Sequence, residues 1–222
     1  MILYRPIGHR ELEALYDLGM RAFPPRLPDQ PIFYPVLNPG YAREIAEGWN
    51  TKSDTFAGYV TRFSVHNDYV ARFERRVVGA ARHEELWVPA EKLDEFNSHL
   101  VGHVEIITAY FGDGFVGTPP ARYAPPGTTN ADQMFKALAA TASYNAADLM
   151  AAVYPNHKSV FCNYAYWKQR APRLADFRRP EDAHTFVAHL ALRFHSHFAL
   201  QLPTDVEIFG FERDMLGLPQ PG

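Results

Sequence analysis

Residues 83–96 read HEELWVPAEKLDEF, an aromatic and β-branched stretch that runs through a proline into a helical pattern. Successive side chains of a strand point to opposite faces. The first face holds Glu84, Leu86 and Val88, and the second face holds His83, Glu85 and Trp87. The two aliphatic residues mark the core side. The second face therefore places a carboxylate between an imidazole and an indole, which suits either a cleft with a partly desolvated acid or an ordinary edge strand.

Short elements of mixed type surround this stretch. β-branched and aromatic enrichment predicts strands at 2–7, 56–65 and 103–111. Helical spacing of Leu12, Leu15 and Tyr16 predicts a helix over 9–19, with Gly19 as its left-handed cap, and a short helix follows at 90–97. Short strands interleaved with small helices predict an α+β fold for this part of the chain.

A further helix is predicted after Asn38, which can serve as its N-cap, and Pro39 fits its first turn. Its pattern places Tyr41, Ile45 and Trp49 on the apolar side. Aromatic residues in such positions are more often core than platforms for a ligand. We expect the same of Phe33, Tyr34 and Tyr59.

Glycine and proline are concentrated in residues 112–130, GDGFVGTPPARYAPPGTTN. This composition predicts a domain of α+β type over 1–112, a linker over 113–130 and a mostly helical region over 131–222. In the last region, apolar stripes predict one long or two short helices over 131–154 and another helix over 182–200. The stripe of 131–154 includes Met134, Leu138, Ala142, Leu149 and Val153.

Composition excludes several classes of protein. The net charge of -3 and the pI near 6.4 give no global basic field for nucleic acid or an anionic membrane. No apolar run reaches the ~18 residues of a membrane span, and the first residues lack a signal-peptide pattern, so we expect a cytoplasmic protein without a membrane partner. The single cysteine, Cys162, predicts a small buried hydrophobe. His184, His189, His195 and His197 lie at spacings that do not share a helix face, which argues against a metal site.

Aromatic and basic residues alternate in residues 154–170, YPNHKSVFCNYAYWKQR. This composition can stack on bases and neutralise phosphates, or it can form a core. The acidic chain as a whole favours the core.

Arg5 interrupts an apolar strand face between Leu3 and Ile7. A buried guanidinium needs an anionic partner, which is either a structural carboxylate, the commoner case, or the phosphate of a ligand.

Four stretches carry a resemblance to a known family: LYRPIG, FPPRLPDQPIFYPVLNPGYAREIAEGWNT, GYVTRF and HEELWVPAEKLDEFNSHLVGHVEII. Over about its first half the chain resembles bacterial proteins labelled ADP-ribosylation/crystallin J1. The order of the pieces is also similar to ADP-ribosyltransferase-like domains, in which two small sheets form a cleft for NAD. The resemblance implies NAD-dependent ADP-ribosyl transfer or NAD glycohydrolysis, with a protein or nucleic-acid acceptor in the first case.

The resemblance also implies roles for particular residues. Arg5 would hold the ribose or phosphates of NAD, Tyr34 would support the nicotinamide, and Thr61 and Trp87 would complete the cofactor site. Glu85 would be the catalytic glutamate that stabilises the oxocarbenium-like state, a plausible role for a fixed anion. His83 would orient Glu85 or the acceptor. The chain lacks a Ser-Thr-Ser segment following a strand, and the glutamates of the strand, Glu84 and Glu85, are adjacent instead of two positions apart, so the target residue is unassigned.

Other functions are consistent with the same residues. The first part can be a noncatalytic module that binds a nucleotide or an ADP-ribosyl group, or the chain can be a protein-interaction unit of a toxin and antitoxin system. An ADP-ribosylglycohydrolase is the weakest alternative: GDGFVG echoes the Gly-Asp motif of those enzymes, but their fold is helical, and paired aspartates for magnesium are missing from the sequence.

Overall fold

The computed structural model describes residues 1–121, 127–142, 145–174, 177 and 179–209. The chain forms two compact units, one from Met1–Gly114 together with Phe209, the other from Phe115–Ile208. The predicted linker over 113–130 therefore contains the boundary, which follows Gly114. Residues 122–126 of the linker and residues 210–222 of the predicted helical region lie outside the described residues.

The first unit is of α+β type, as predicted. Its helices are α1 His9–Asp17, α2 Pro39–Gly48, α3 Asn67–Val70 and α4 Leu93–Ser98. Its strands are β1 Ile2–Gly8, β2 Ile32–Phe33, β3 Ala57–Val65, β4 Glu74–Val77, β5 Glu84–Pro89 and β6 Leu100–Phe111. A last short strand, β7 Glu207–Phe209, brings the chain back into this unit at Phe209, whose ring stacks on Tyr110.

The strands form two small sheets. One has the order β1-β3-β6-β7, and the other has the order β2-β5-β4. Val36 joins them, because it pairs with Tyr4 of β1 on one side and with Glu85 of β5 on the other. Residues paired directly across a ladder share a face. Tyr4, Val36 and Glu85 therefore point to the same side, a relation that organises the site below.

Helix α2 packs on this shared side, but through a different face from the predicted one. Asn38 caps it through hydrogen bonds from the Gly40 and Tyr41 amides, as the sequence indicates. The buried residues are Ala42 and Ala46, whereas Trp49 is 76% exposed. A Cβ on Gly58 would lie 2.0 Å from the Ala46 carbonyl oxygen. Helix and sheet therefore approach too closely for large side chains, and the expectation of a buried Trp49 is wrong.

The opposite side of the sheets also carries buried apolar residues. Five of the fully buried residues of the unit belong to this group: Leu3, Phe33, Leu86, Val88 and Phe96. Phe33 packs against Phe23 and Phe96 at centroid distances of 4.8 and 5.4 Å. The assignment of Leu86 and Val88 to the core side is confirmed.

The second unit is helical in its described part. Its helices are α5 Ala131–Ala142, α6 Ala146–Val153, α7 His157–Leu174 and α8 Pro180–His197. The pattern over 131–154 thus forms two helices, with Met134, Leu138, Leu149 and Val153 buried. None of the described helices of the chain is long and apolar enough to cross a membrane.

Helix α7 decides between the two interpretations of residues 154–170. Phe161, Tyr164, Tyr166 and Trp167 are at most 4% exposed, so their rings form core and cannot stack on bases. Cys162 is also buried, as predicted.

Asn163 of α7 fixes the segment that follows the unit boundary. Its amide nitrogen donates to the Thr118 carbonyl at 2.7 Å, and its amide oxygen accepts from the Thr118 amide at 2.9 Å. Ser159 donates to the Pro119 carbonyl at 2.7 Å. The first part of the predicted linker is therefore a segment bound to the helical unit.

Candidate functional site on strand β5

Glu85 lies on the polar face of β5, as the alternation of the strand predicts. It is only 9% exposed. Its cross-strand neighbours are Val36 on one side and Arg76 of β4 on the other. Because directly paired residues share a face, Arg76 belongs to the same face as Glu85.

Tyr41 of α2 holds the carboxylate of Glu85. The Tyr41 hydroxyl donates to Glu85 Oε1 at 2.9 Å. Burial and this hydrogen bond to Glu85 raise the pKa of Tyr41 to about 12. The phenol therefore stays protonated at neutral pH and remains a hydrogen-bond donor to the Glu85 side chain.

His83 lies beside the same tyrosine. Its ring is stacked on the Tyr41 ring with centroids 4.3 Å apart. The Ala80 amide donates to His83 Nδ1 at 3.3 Å, so Nε2 carries the proton and donates to Glu44 Oε2 at 3.0 Å. His83 and Glu85 are thus brought together by Tyr41, while the imidazole itself is oriented by Glu44.

Arg82 is the second partner of Glu44. Its Nε donates to Glu44 Oε1 at 2.8 Å. The hydrogen bond from Arg82 holds the pKa of the Glu44 carboxyl below its usual value. The carboxylate is thus shared between a permanent cation and a titratable imidazole.

Trp87 continues the polar face of β5. The Arg76 guanidinium lies over its ring at 3.8 Å, and Tyr34 meets it edge to face with centroids 5.4 Å apart. Tyr34, Trp87, Glu85 and His83, four of the predicted site residues, therefore line one continuous side of β5. We call these four residues with Tyr41 and Arg76 the β5 site.

Arg5 does not belong to the β5 site. It follows Tyr4, which shares the side of Glu85, so its side chain projects to the opposite side of the sheet. There it lies over the Phe33 ring at 4.6 Å and donates to both carboxylate oxygens of Glu11, at 2.7 and 3.1 Å. Of the two partners considered for this buried cation, the structure shows the structural carboxylate.

Thr61 lies with Arg5. The two residues are paired across β1 and β3, and the Thr61 hydroxyl donates to the Arg5 carbonyl at 2.9 Å. Thr61 is fully buried. The structure therefore does not bring Arg5 and Thr61 together with Glu85, and the six predicted residues do not form one cleft.

Two residues of the β5 site had no prediction attached to them as site residues. The sequence pattern places Tyr41 on a core face of α2. Arg76 belongs to β4, a strand of four exposed residues, ERRV, that no sequence pattern predicts. The available signal was the helix cap at Asn38, which sets the orientation of Tyr41 three residues later.

Comparison with models of protein families, with curated proteins and with solved structures found no match to this chain. Among the described residues, no group of three or more histidine, cysteine, aspartate or glutamate side chains is arranged to hold a metal ion. The chemistry offered by the β5 site is a carboxylate, a protonated phenol, an imidazole, a guanidinium and two aromatic rings.

Proposed function

We propose that the first unit binds NAD at the β5 site and cleaves its bond between ribose and nicotinamide, by ADP-ribosyl transfer or by hydrolysis. The observation that carries the proposal is the carboxylate of Glu85, nine-tenths buried and oriented by Tyr41, with His83 against the same ring. The resemblance in sequence assigns Glu85 the same role.

The reaction balances with water or an acceptor hydroxyl as the second reactant. The glycosidic bond breaks, its electron pair leaves with nicotinamide, and positive charge develops on the ribose ring. The Glu85 carboxylate stabilises that charge, more strongly where burial excludes water. Oxygen of water or of an acceptor hydroxyl then bonds to the ribose carbon, and its proton is taken up by a base, for which His83, stacked on Tyr41, is the candidate.

The phosphates of NAD need cations other than Arg5, which is engaged by Glu11 on the opposite side of the sheet. On the side of Glu85 the nearest cations by register and sequence are Arg76, its cross-strand partner, and Arg82, next to His83. Both are more than two-fifths exposed and paired with surface carboxylates, which a pyrophosphate can replace as a bidentate acceptor.

A noncatalytic nucleotide-binding module is the second candidate. It is favoured by the fact that Glu85 is already hydrogen-bonded and largely buried in the free protein. In that case Trp87 and Tyr34 supply stacking surfaces, and Glu85 only positions Tyr41. This candidate predicts that the protein binds NAD without releasing nicotinamide.

Release of free nicotinamide from NAD, followed by proton NMR with the full-length protein, distinguishes the two candidates. Cleavage predicts release by the wild type that falls at least a hundredfold in Glu85→Gln, which keeps the shape and removes the charge. Binding alone predicts NAD-induced shifts of the tryptophan indole signals without release. If the protein binds no NAD and releases no nicotinamide even with cell lysate supplied as acceptor, both candidates are contradicted.

A further inference from the structure

A pocket of about 420 Å³ lies where β5 ends, at Pro89, and we call it the Pro89 pocket. Its volume is within the range of small-molecule sites. The strands contribute Glu74, Trp87 and Pro89 to its lining. Trp87 and Pro89 alternate with Glu85 along β5, so they point to the side of Glu85. Glu74 is the cross-strand partner of Trp87 and shares that side. The pocket therefore continues the side of β5 that carries the β5 site, and Trp87 belongs to both.

Apolar rings form the walls of the Pro89 pocket. Tyr69 closes the pocket from α3 and is 3% exposed, so its ring offers a ligand almost no surface. Phe73, Trp87 and Pro89 are half-buried, so part of each ring is open to the pocket. Flat apolar walls suit a planar ligand, because aromatic side chains and nucleobases stack through their faces.

The rim of the Pro89 pocket carries two cations, Arg72 and Lys92, and two carboxylates, Glu74 and Glu95. These four side chains are between 40% and 64% exposed, so a ligand can reach them. Their charges balance, which favours a neutral ligand over an ion. An exocyclic amino group can donate to a rim carboxylate, and ring nitrogens can accept from Arg72 or Lys92. Adenine is neutral and planar, and it carries an amino group beside acceptor nitrogens.

The order of groups along β5 matches the order of groups in NAD. Glu85 lies first, and the Arg76 guanidinium lies over the Trp87 ring at 3.8 Å in the middle. The Pro89 pocket follows. With a rise of ~3.3 Å per residue, Glu85 and Pro89 lie roughly 13 Å apart along the strand. In NAD a sugar, a pyrophosphate and a second sugar separate nicotinamide from adenine, and an extended chain of that length bridges such a distance.

We propose that the Pro89 pocket binds the adenine base of NAD. The dinucleotide then lies along β5, with its nicotinamide half at Glu85 and its pyrophosphate beside Arg76. The identity of the ligand rests on the proposed function. The pocket adds two things to that function: the direction in which NAD lies on the strand, and recognition of the substrate through its purine base.

Adenosine tests the Pro89 pocket without any cleavage of NAD. The readout is the set of aromatic ¹H–¹³C signals of Phe73 in the full-length protein, assigned with Phe73→Leu. We expect saturable shifts of these signals with adenosine. Nicotinamide mononucleotide, which lacks the adenine half of NAD, should leave them unmoved. Uridine should bind at least about tenfold more weakly than adenosine, because it has a smaller ring and no amino group to donate to the rim carboxylates.

Lys92→Met removes the ammonium group and keeps the apolar stem of the side chain, so adenosine should bind about tenfold more weakly. The matched control is Lys52→Met, an exposed lysine of the same unit outside the lining of the pocket, which should leave adenosine binding unchanged. Phe73→Leu removes an open aromatic face and should weaken binding by about tenfold, followed by the ring signals of Trp87.

Two results separate the pocket from the proposed function. Adenosine-induced shifts of Phe73 in a protein that releases no nicotinamide from NAD would support the pocket and contradict cleavage. Nicotinamide release by a protein whose Phe73 signals move with neither adenosine nor NAD would support cleavage and overturn the pocket. Equal affinities for adenosine and uridine, shifts of Phe73 with nicotinamide mononucleotide, or equal adenosine binding by Lys92→Met and Lys52→Met would also overturn it.

Discussion

His9 makes the stability of the first unit depend on pH. Its ring is 5% exposed, and Nδ1 lies 2.9 Å from the Tyr59 hydroxyl. Burial lowers the pKa of His9 from 6.5 to about 4. Between these values the unfolded chain binds a proton that the folded chain does not, so stability is lost as pH falls from 6.5 towards 4.

We therefore expect the free energy of unfolding to fall by up to about 3 kcal/mol across that window, from the size of the pKa shift. In His9→Gln, the free energy of unfolding should depend less on pH in this window. Urea unfolding at pH 7.0, 6.0 and 5.0 measures it. A slope that is the same in wild type and His9→Gln would show that His9 is not the group responsible.

The ion pair of Arg5 with Glu11 is buried, so we expect it to contribute more to stability than an exposed ion pair does. The side chains of Arg5 and Glu11 are 8% and 20% exposed, whereas those of Arg62 and Glu105 are 48% and 56% exposed. Glu11→Gln leaves a buried guanidinium without its anion and should cost about 3 kcal/mol. Glu105→Gln should cost less than about 1 kcal/mol. Equal losses in thermal or urea unfolding would contradict a structural role for Arg5.

At the scale of single side chains, the sequence predicted the side of β5 on which Glu85 lies, because alternation is a local property of a strand. It did not predict that Arg5 lies on the other side of the sheet. That relation depends on Val36 pairing with both Tyr4 and Glu85. Pairing between segments more than thirty residues apart leaves no local pattern in either of them.

Among the elements, helix α2 depends on a glycine in the strand beneath it. Gly58 of β3 has the Ala46 carbonyl oxygen 2.0 Å from the position of a Cβ. Gly58→Ala must therefore displace backbone, and we expect a loss of about 3 kcal/mol or more. Gly48→Ala, at the end of the same helix with nothing within 4 Å, should be neutral or stabilising by up to about 1 kcal/mol. Similar thermal midpoints for the two variants would contradict this packing.

The sequence of α2 predicts the start of the helix but not the face that it buries. Its start was predictable from Asn38 and Pro39, because a cap is made within one turn. Its buried face was not, because the aromatic residues suggest a large apolar contact while the close approach at Gly58 admits only Ala42 and Ala46. Strand β4 was missed since all four of its residues are exposed and three are charged.

Over the whole molecule, each of the two units contains a tryptophan that can report on its unfolding. Trp87 lies in the first unit, and Trp167 is fully buried in the second. Variants that keep one of these tryptophans, with Trp49→Phe in both, report on each unit. We expect Gly58→Ala to shift the unfolding midpoint seen by Trp87 and to leave that seen by Trp167 nearly unchanged. Equal shifts of both signals would show that the units unfold together.

We propose above that the side of β5 carrying Glu85 acts on NAD. The most direct measurement compares nicotinamide release by Glu85→Gln and Glu84→Gln, two neighbouring isosteric changes on opposite sides of one strand. We expect Glu85→Gln to abolish release and Glu84→Gln to retain it to within about threefold. Equal rates in the two variants, or a wild type that releases no nicotinamide, would contradict it.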